Sequence, residues 1–162
     1  TMTARRSVLA FAAASGRVAH VLVVQGTVKS VGMSRKASVG PKEARAYAAR
    51  QIERFRPDNV ITEKLLARSK KGAKTRRIIE ALRSVAELAD VESIAVVRGQ
   101  AHANRFVEAQ DLARRYPTLQ PYLPKVRRLW DPEPKTLIYF EALSLIEATL
   151  GQAPSLPRRP SS

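Results

Sequence analysis

The chain has 162 residues, the length of about one domain, and 44% of them are hydrophobic, enough to build a core. It carries 29 Lys+Arg against 14 Asp+Glu, a net charge of +15, which favours a polyanionic partner: nucleic acid first, an anionic membrane surface or an acidic protein second. The absence of Cys excludes disulfides and thiolate metal sites, and a total of two His argues against a His-rich metal centre or a Ser-His-Asp triad.

No apolar run approaches the ~20 residues that a bilayer span needs. Arg5-Arg6 followed by the apolar Leu9 to Ala14 has the outline of a secretory leader, but it is short. Arg17 and an alternating pattern follow at once, so the run reads as a core strand. The expected location is the cytoplasm or nucleoid, with no membrane partner.

Ser7 to Ala14, Arg17 to Val24 and Thr27 to Met33 predict three short antiparallel strands joined at Ser15-Gly16 and Gln25-Gly26. Lys29 suits the solvent side of an edge strand. Ser38-Val39-Gly40-Pro41 signals a helix start. Ala44, Tyr47, Ala48, Ile52 and Phe55 keep helical spacing until Pro57 stops the helix near Arg56. Val60 and Ile61 then form a buried strand with Glu63 at its tip. A strand, helix, strand succession implies a parallel crossover.

Beyond a dense basic run, Ile78, Ile79, Leu82, Val85 and Ala89 predict a second amphipathic helix, starting after Gly72. Ile94 to Val97 is a bare apolar strand. Phe106 to Ala113 is a third helix stopped by Pro117, and Pro117 to Pro134 is a proline-punctuated loop with an extended piece at Lys125 to Leu129. A last helix is expected over about Glu133 to Leu150, and residues 151–162 form a Pro- and Ser-rich tail expected to be disordered. The fold class is therefore α/β: a mixed sheet, a three-strand antiparallel meander followed by parallel strands, flanked by helices, in one domain over residues 1–150. The seven Gly are scattered and form neither a Walker-type phosphate loop nor a dinucleotide fingerprint.

Three segments carry a resemblance. Val8 to Arg17, Pro57-Asp58-Asn59-Val60-Ile61-Thr62-Glu63 and Phe140-Glu141-Ala142-Leu143 are similar to the opening strand, the second acid-bearing strand and the acidic-Ala-Leu helix of RuvC-type Holliday junction resolvases, which have the ribonuclease H-like fold. The resemblance implies metal-dependent phosphodiester hydrolysis of branched DNA, with carboxylates holding Mg2+ ions that clamp the attacking and leaving oxygens. It implies Glu63 and Glu141 as the catalytic and metal-binding residues, and a homodimer. Two positions depart from the pattern. The first-strand Asp of the family falls on Ala12, and an acid one turn before Glu141 falls on Ile138. Neither side chain binds metal, and two departures together point to natural loss, so cleavage is expected to be weak or absent. The alternative is a non-catalytic basic DNA- or RNA-binding protein, or a scaffold, on the same fold. Asp131, in a loop ten residues before Glu141, is a further candidate acid, though nothing in the spacing requires it to approach the site.

The candidate nucleic-acid contacts form two groups. Lys64, Arg68, Lys70, Lys71, Lys74, Arg76 and Arg77 follow Glu63 without an intervening acid. Their mutual repulsion is relieved by phosphate, with release of counterions. Lys125, Arg127, Arg128 and Lys135 surround Trp130, whose ring is either a stacking platform or, the favoured reading, part of the core. The bland alternatives are a solvated basic loop for the first group and a turn-capping role for Glu63. Arg114 and Arg115 read as complements to a helix dipole, and His20 and His102 as structural.

Overall fold

A computed structural model of the chain describes residues 6–14, 16–67, 71–97, 105–123 and 136–152. Strands β1 (Ser7–Ala14), β2 (Arg17–Val24) and β3 (Thr27–Ser34) form the meander. Helix α1 (Pro41–Phe55) leads to β4 (Asn59–Glu63), and α2 (Ala73–Leu88) leads to β5 (Glu92–Val96). Helices α3 (Arg105–Arg115) and α4 (Leu137–Gln152) follow, with a 3-10 segment, Pro117–Tyr122, after α3. The sheet order is β3-β2-β1-β4-β5, antiparallel across the meander and parallel from β1 through β4 to β5. The expected fold class is the observed one, and β3 is an edge strand. Helix α4 runs two residues into the expected tail. The extended piece at Lys125 to Leu129, together with Trp130 and Asp131, lies outside the described residues.

Local chemistry explains the boundaries. Gln25 and Gly26 both take positive φ, 52° and 80°, the pairing of a two-residue hairpin turn whose twist matches its strands. Helix α1 has Pro41 in its first turn and closes on Arg56 at φ 44°, immediately before Pro57. The start of β4 is tied to the start of β1 through Asp58. Its carboxylate accepts the Ser7 backbone N–H at 2.8 Å, and its own N–H donates to the Ser7 carbonyl at 3.0 Å. At the other side Asn59 donates its side-chain amide to Glu92 at 2.9 Å. These bonds set the register of three parallel strands, so they also fix what stands at the strand tips.

The period-2 alternation of β1 splits the core in two. Leu9, Phe11 and Ala13 pack with Tyr47, Ile52, Ile78 and Leu82 of α1 and α2. Ala10 and Ala12 face the opposite layer, with Leu112 of α3 and Phe140, Leu143 and Leu145 of α4. Every residue from Leu137 to Ile146 is buried. A helix that is apolar on all sides belongs inside a protein, and α4 is such a helix.

His20 on β2 is buried in the α1 layer. Its Nδ1 lies 2.6 Å from the Tyr47 hydroxyl and its Nε2 3.4 Å from Ser30 Oγ. A hydroxyl donating to Nδ1 and an Nε2–H donating to Ser30 satisfy both contacts with a neutral ring. Burial, helped by the Arg54 charge, lowers its pKa from 6.5 to about 4. The same burial raises that of Tyr47. Across the ladder His20 faces Gly32, where a Cβ would come within 2.6 Å of the imidazole Cε1. Glycine is required there by the ring's position, not by backbone conformation.

Two outcomes follow for stability. Gly32→Ala overpacks the His20 ring and is expected to cost about 1–3 kcal/mol in urea unfolding. For pH, the unfolded chain takes up the imidazole proton near pH 6.5 and the folded chain only near 4. The His20 contribution is therefore whole above about pH 6.5, declines as pH falls towards 4, and is constant below. Its full extent is about 3 kcal/mol at most. Urea midpoints measured across that window, beside those of His20→Asn, check the sign: the variant's profile should lose this limb.

Candidate functional site

The two glutamates of the sequence analysis converge. Ala10 pairs with Ile61 across the parallel β1–β4 ladder, so two residues further along both strands Ala12 and Glu63 stand side by side on the α4 face. Glu141 projects from α4, 1% exposed, over the same strand ends. Carboxylates from a strand tip and a buried helix thus meet at the C-terminal edge of the sheet, where open α/β sheets carry their ligands.

What lies between them is a lysine. The Lys71 ammonium donates to Glu141 Oε2, donates to the Ala13 carbonyl at 2.8 Å, and lies 3.0 Å from Glu63 Oε1. The Glu63 contact is an ion pair whose approach angle is not that of a hydrogen bond. One nitrogen therefore bridges β1, β4 and α4. Glu141 has no surface to present to water, and a buried carboxylate needs a partner; Lys71 is that partner.

The loop that delivers Lys71 is held by Arg76, from the first turn of α2. Its guanidinium donates to the carbonyls of Lys71 at 3.2 Å, Leu66 at 3.1 Å and Ala67 at 3.3 Å. At its other end the loop is anchored by the Lys64 N–H, which donates to the Val96 carbonyl at 2.7 Å. Two members of the expected phosphate-contacting run, Lys71 and Arg76, are thus turned inward: one is claimed by buried carboxylates, the other by loop carbonyls. Lys64, Lys74 and Arg77 are exposed around the same edge. Helix α2 has no acid in its first turn and no side-chain cap, so its positive end adds to their field. Arg68 and Lys70, and the second group, Lys125, Arg127, Arg128 and Lys135, lie outside the described residues.

The donor set does not fit a divalent cation. Ala12 and Ile138, where the resemblance leads one to expect two further acids, are both buried in the α4 layer. Among the described residues no group of three His, Asp or Glu converges on a metal-sized site. The two carboxylates that do converge are already matched by an ammonium. A Mg2+ ion demands near-octahedral oxygen donors, and it would have to displace Lys71 from both glutamates and the Ala13 carbonyl.

Away from the site, Arg114 and Arg115 do more than complement a dipole. Arg115 pairs with Asp111 at 3.0 Å and with Glu147 of α4, and Arg114 pairs with Asp111 at 2.8 Å. Tyr116 also donates to Glu147; burial, followed by that bond, pushes its pKa up to about 12. These contacts fasten α3 to α4 and so steady the helix that carries Glu141. The sequence analysis missed them, along with the inward turn of Lys71.

A double-mutant cycle tests the bridge. Lys71→Met removes the ammonium from the buried Glu141 and should cost ~3–5 kcal/mol in urea unfolding, the usual penalty for breaking a buried pair from one side. Adding Glu141→Leu should give back part of that loss. A coupling of about 0.5–3 kcal/mol is expected, and additive losses would mean that the two side chains do not interact.

No family model matches the sequence, and no curated protein matches it. Among solved structures it is similar to RuvC of Thermus thermophilus, at 16% identity over 91% of this chain and 96% of that one, with a TM-score of 0.61. It is similar to T. thermophilus RuvC in complex with a Holliday junction substrate, at 16% identity over 93% and 97%, TM-score 0.62. It is also similar to the fowlpox virus Holliday junction resolvase, at 16% identity over 90% and 99%, TM-score 0.56. With the mixed sheet, its element order and the strand-tip site, these likenesses establish that the chain has the ribonuclease H-like fold in the form found in RuvC and the poxvirus resolvase.

Proposed function

We propose that the chain is a nucleic-acid-binding protein of the resolvase type whose ligand is branched DNA, and that phosphodiester cleavage is weak or absent. The observation that carries the reading is the combination at one sheet edge: an exposed basic rim, Lys64, Lys74 and Arg77, around an acid pair bridged from within by Lys71. The rim supplies charge for a phosphate backbone. Structurally similar RuvC and fowlpox resolvase have both been solved with Holliday junction DNA, which supports a junction over an ordinary duplex.

Among the described residues the side chains at this edge bind and orient; none of them assembles a nucleophile. Activating water for attack on a phosphodiester takes a metal ion or a free general base. Glu63 and Glu141 are both committed to an ammonium, and no step of hydrolysis is derived through them. The exposed cations act instead on the DNA backbone, whose contacts fix position without reading sequence.

The test is binding to junction, duplex and RNA over a range of salt concentrations, with EDTA present and with Mg2+. The junction is expected to bind most tightly, its affinity should fall log-linearly with salt, and no nicked product should accumulate with Mg2+. Replacing Lys64, Lys74 and Arg77 by Ala should make the salt slope shallower by about 2–3, one counterion equivalent per lost contact. A flat salt response of the unaltered protein would count against any nucleic-acid role.

A further inference from the structure

We infer that Lys71 is the resident cation of this site: its ammonium occupies the position between Glu63 and Glu141 that a divalent ion would need, and the chain thereby satisfies its acid pair without metal. The inference concerns the acid pair itself and stands whether or not nucleic acid is the ligand.

Three observations carry it. The first is geometry. The ammonium contacts an oxygen from each of three elements: the Ala13 carbonyl of β1, Glu63 of β4 and Glu141 of α4. A strand carbonyl and two carboxylates around one positive centre are a cation's surroundings, and here the centre is a nitrogen on the chain. The second is charge. Ala12 stands beside Glu63 where a third acid would bring the local charge to −3; with alanine there and Lys71 bound, the pair carries −1. Two carboxylates alone, one of them 1% exposed, would repel each other without water to screen them, and an ammonium between them relieves that repulsion. The third is delivery. Arg76 donates to the Lys71, Leu66 and Ala67 carbonyls, so the backbone at Lys71 itself is tied to the first turn of α2.

An ordinary structural ion pair would share the energetics, so the test must ask whether a metal can take the lysine's place. Mn2+ serves as the probe, read by its electron paramagnetic resonance signal and by the melting temperature, neither of which depends on activity. The unaltered protein should leave the free-Mn2+ signal undiminished and melt at the same temperature in EDTA and in millimolar Mn2+. Lys71→Met should melt ~5–15 °C lower in EDTA. With Mn2+ at about 100 times its Kd it should recover several degrees and bind one ion per chain. The destabilised Gly32→Ala serves as control and should recover nothing. If Lys71→Met fails to fold, the double variant Ala12→Asp/Lys71→Met, which supplies a third carboxylate, should fold with Mn2+ and lose structure on chelation.

Stoichiometric Mn2+ binding by the unaltered protein would overturn the inference. So would variants of Lys71 that respond to Mn2+ no more than Gly32→Ala does, or that stay unfolded with it. Junction binding measured in EDTA on the same preparation separates the two conclusions: its loss would remove the proposed function and leave the cation assignment standing.

Discussion

The structure depends on one nitrogen. Lys71 is where the tip of β1, the tip of β4 and the buried helix α4 are joined by charge, across sequence separations of 58 and 70 residues for Ala13 and Glu141. Hydrophobic burial brings those elements together but does not distinguish one depth or rotation of α4 from another, since its residues from Leu137 to Ile146 are buried all round. A buried carboxylate does distinguish them. Glu141 has a low-energy place only where it meets a cation, so the Lys71 contact fixes the rotation of a helix whose apolar surface leaves it free. The ties from Arg115 and Tyr116 to Glu147 restrain the same helix a turn and a half further on.

Small side chains make that depth accessible. The α4 face of β1 presents Ala10 and Ala12, both fully buried. A strand that faces a helix with alanines lets the helix approach closely, and close approach brings Glu141 within reach of Lys71, which also meets Glu63 on the next strand. Ala12 therefore has two consequences at once: it removes a carboxylate from the strand tip, and it adds to the flat surface on which α4 rests. Whatever the history of that position, the packing around it is complete.

Much of this was legible in the sequence. The strand and helix boundaries were read from period-2 and period-3.6 patterns and from Pro41, Pro57 and Pro117, and they stand within a few residues of the observed ones. Glu63 was singled out because it ends an apolar strand, and Glu141 because Phe140-Glu141-Ala142-Leu143 resembles the resolvases' acidic-Ala-Leu helix; the structure places both on one lysine. Lys71 was not legible. In a run holding Lys64, Arg68, Lys70, Lys74, Arg76 and Arg77, nothing local separates the cation that turns inward from those that turn out. The signal that existed was one of balance. Two acids expected to meet in a partly buried place, with alanine where a third metal ligand should be, require a positive partner from somewhere, and the nearest source was the run that follows Glu63. The His20–Gly32 fit was hidden for a related reason, because it depends on which residues face each other across the β2–β3 ladder, and the register irregularity at Leu22/Val23 defeats simple counting.

The placement of charge also explains how a net +15 chain can retain an acidic centre beside an exposed basic rim. Around exposed lysines and arginines, a pair of bare carboxylates would push phosphate away from the very edge to which the rim attracts it. Metal ions solve that conflict in nucleases by over-neutralising the acids, and the same ions then perform chemistry. An ammonium held by a clamped loop removes most of the repulsion and does nothing further: it has no open coordination position, generates no hydroxide and cannot leave. On the proposed reading, the cation that makes the sheet edge tolerable to a phosphate backbone is also the one that holds the acid pair in place of a metal.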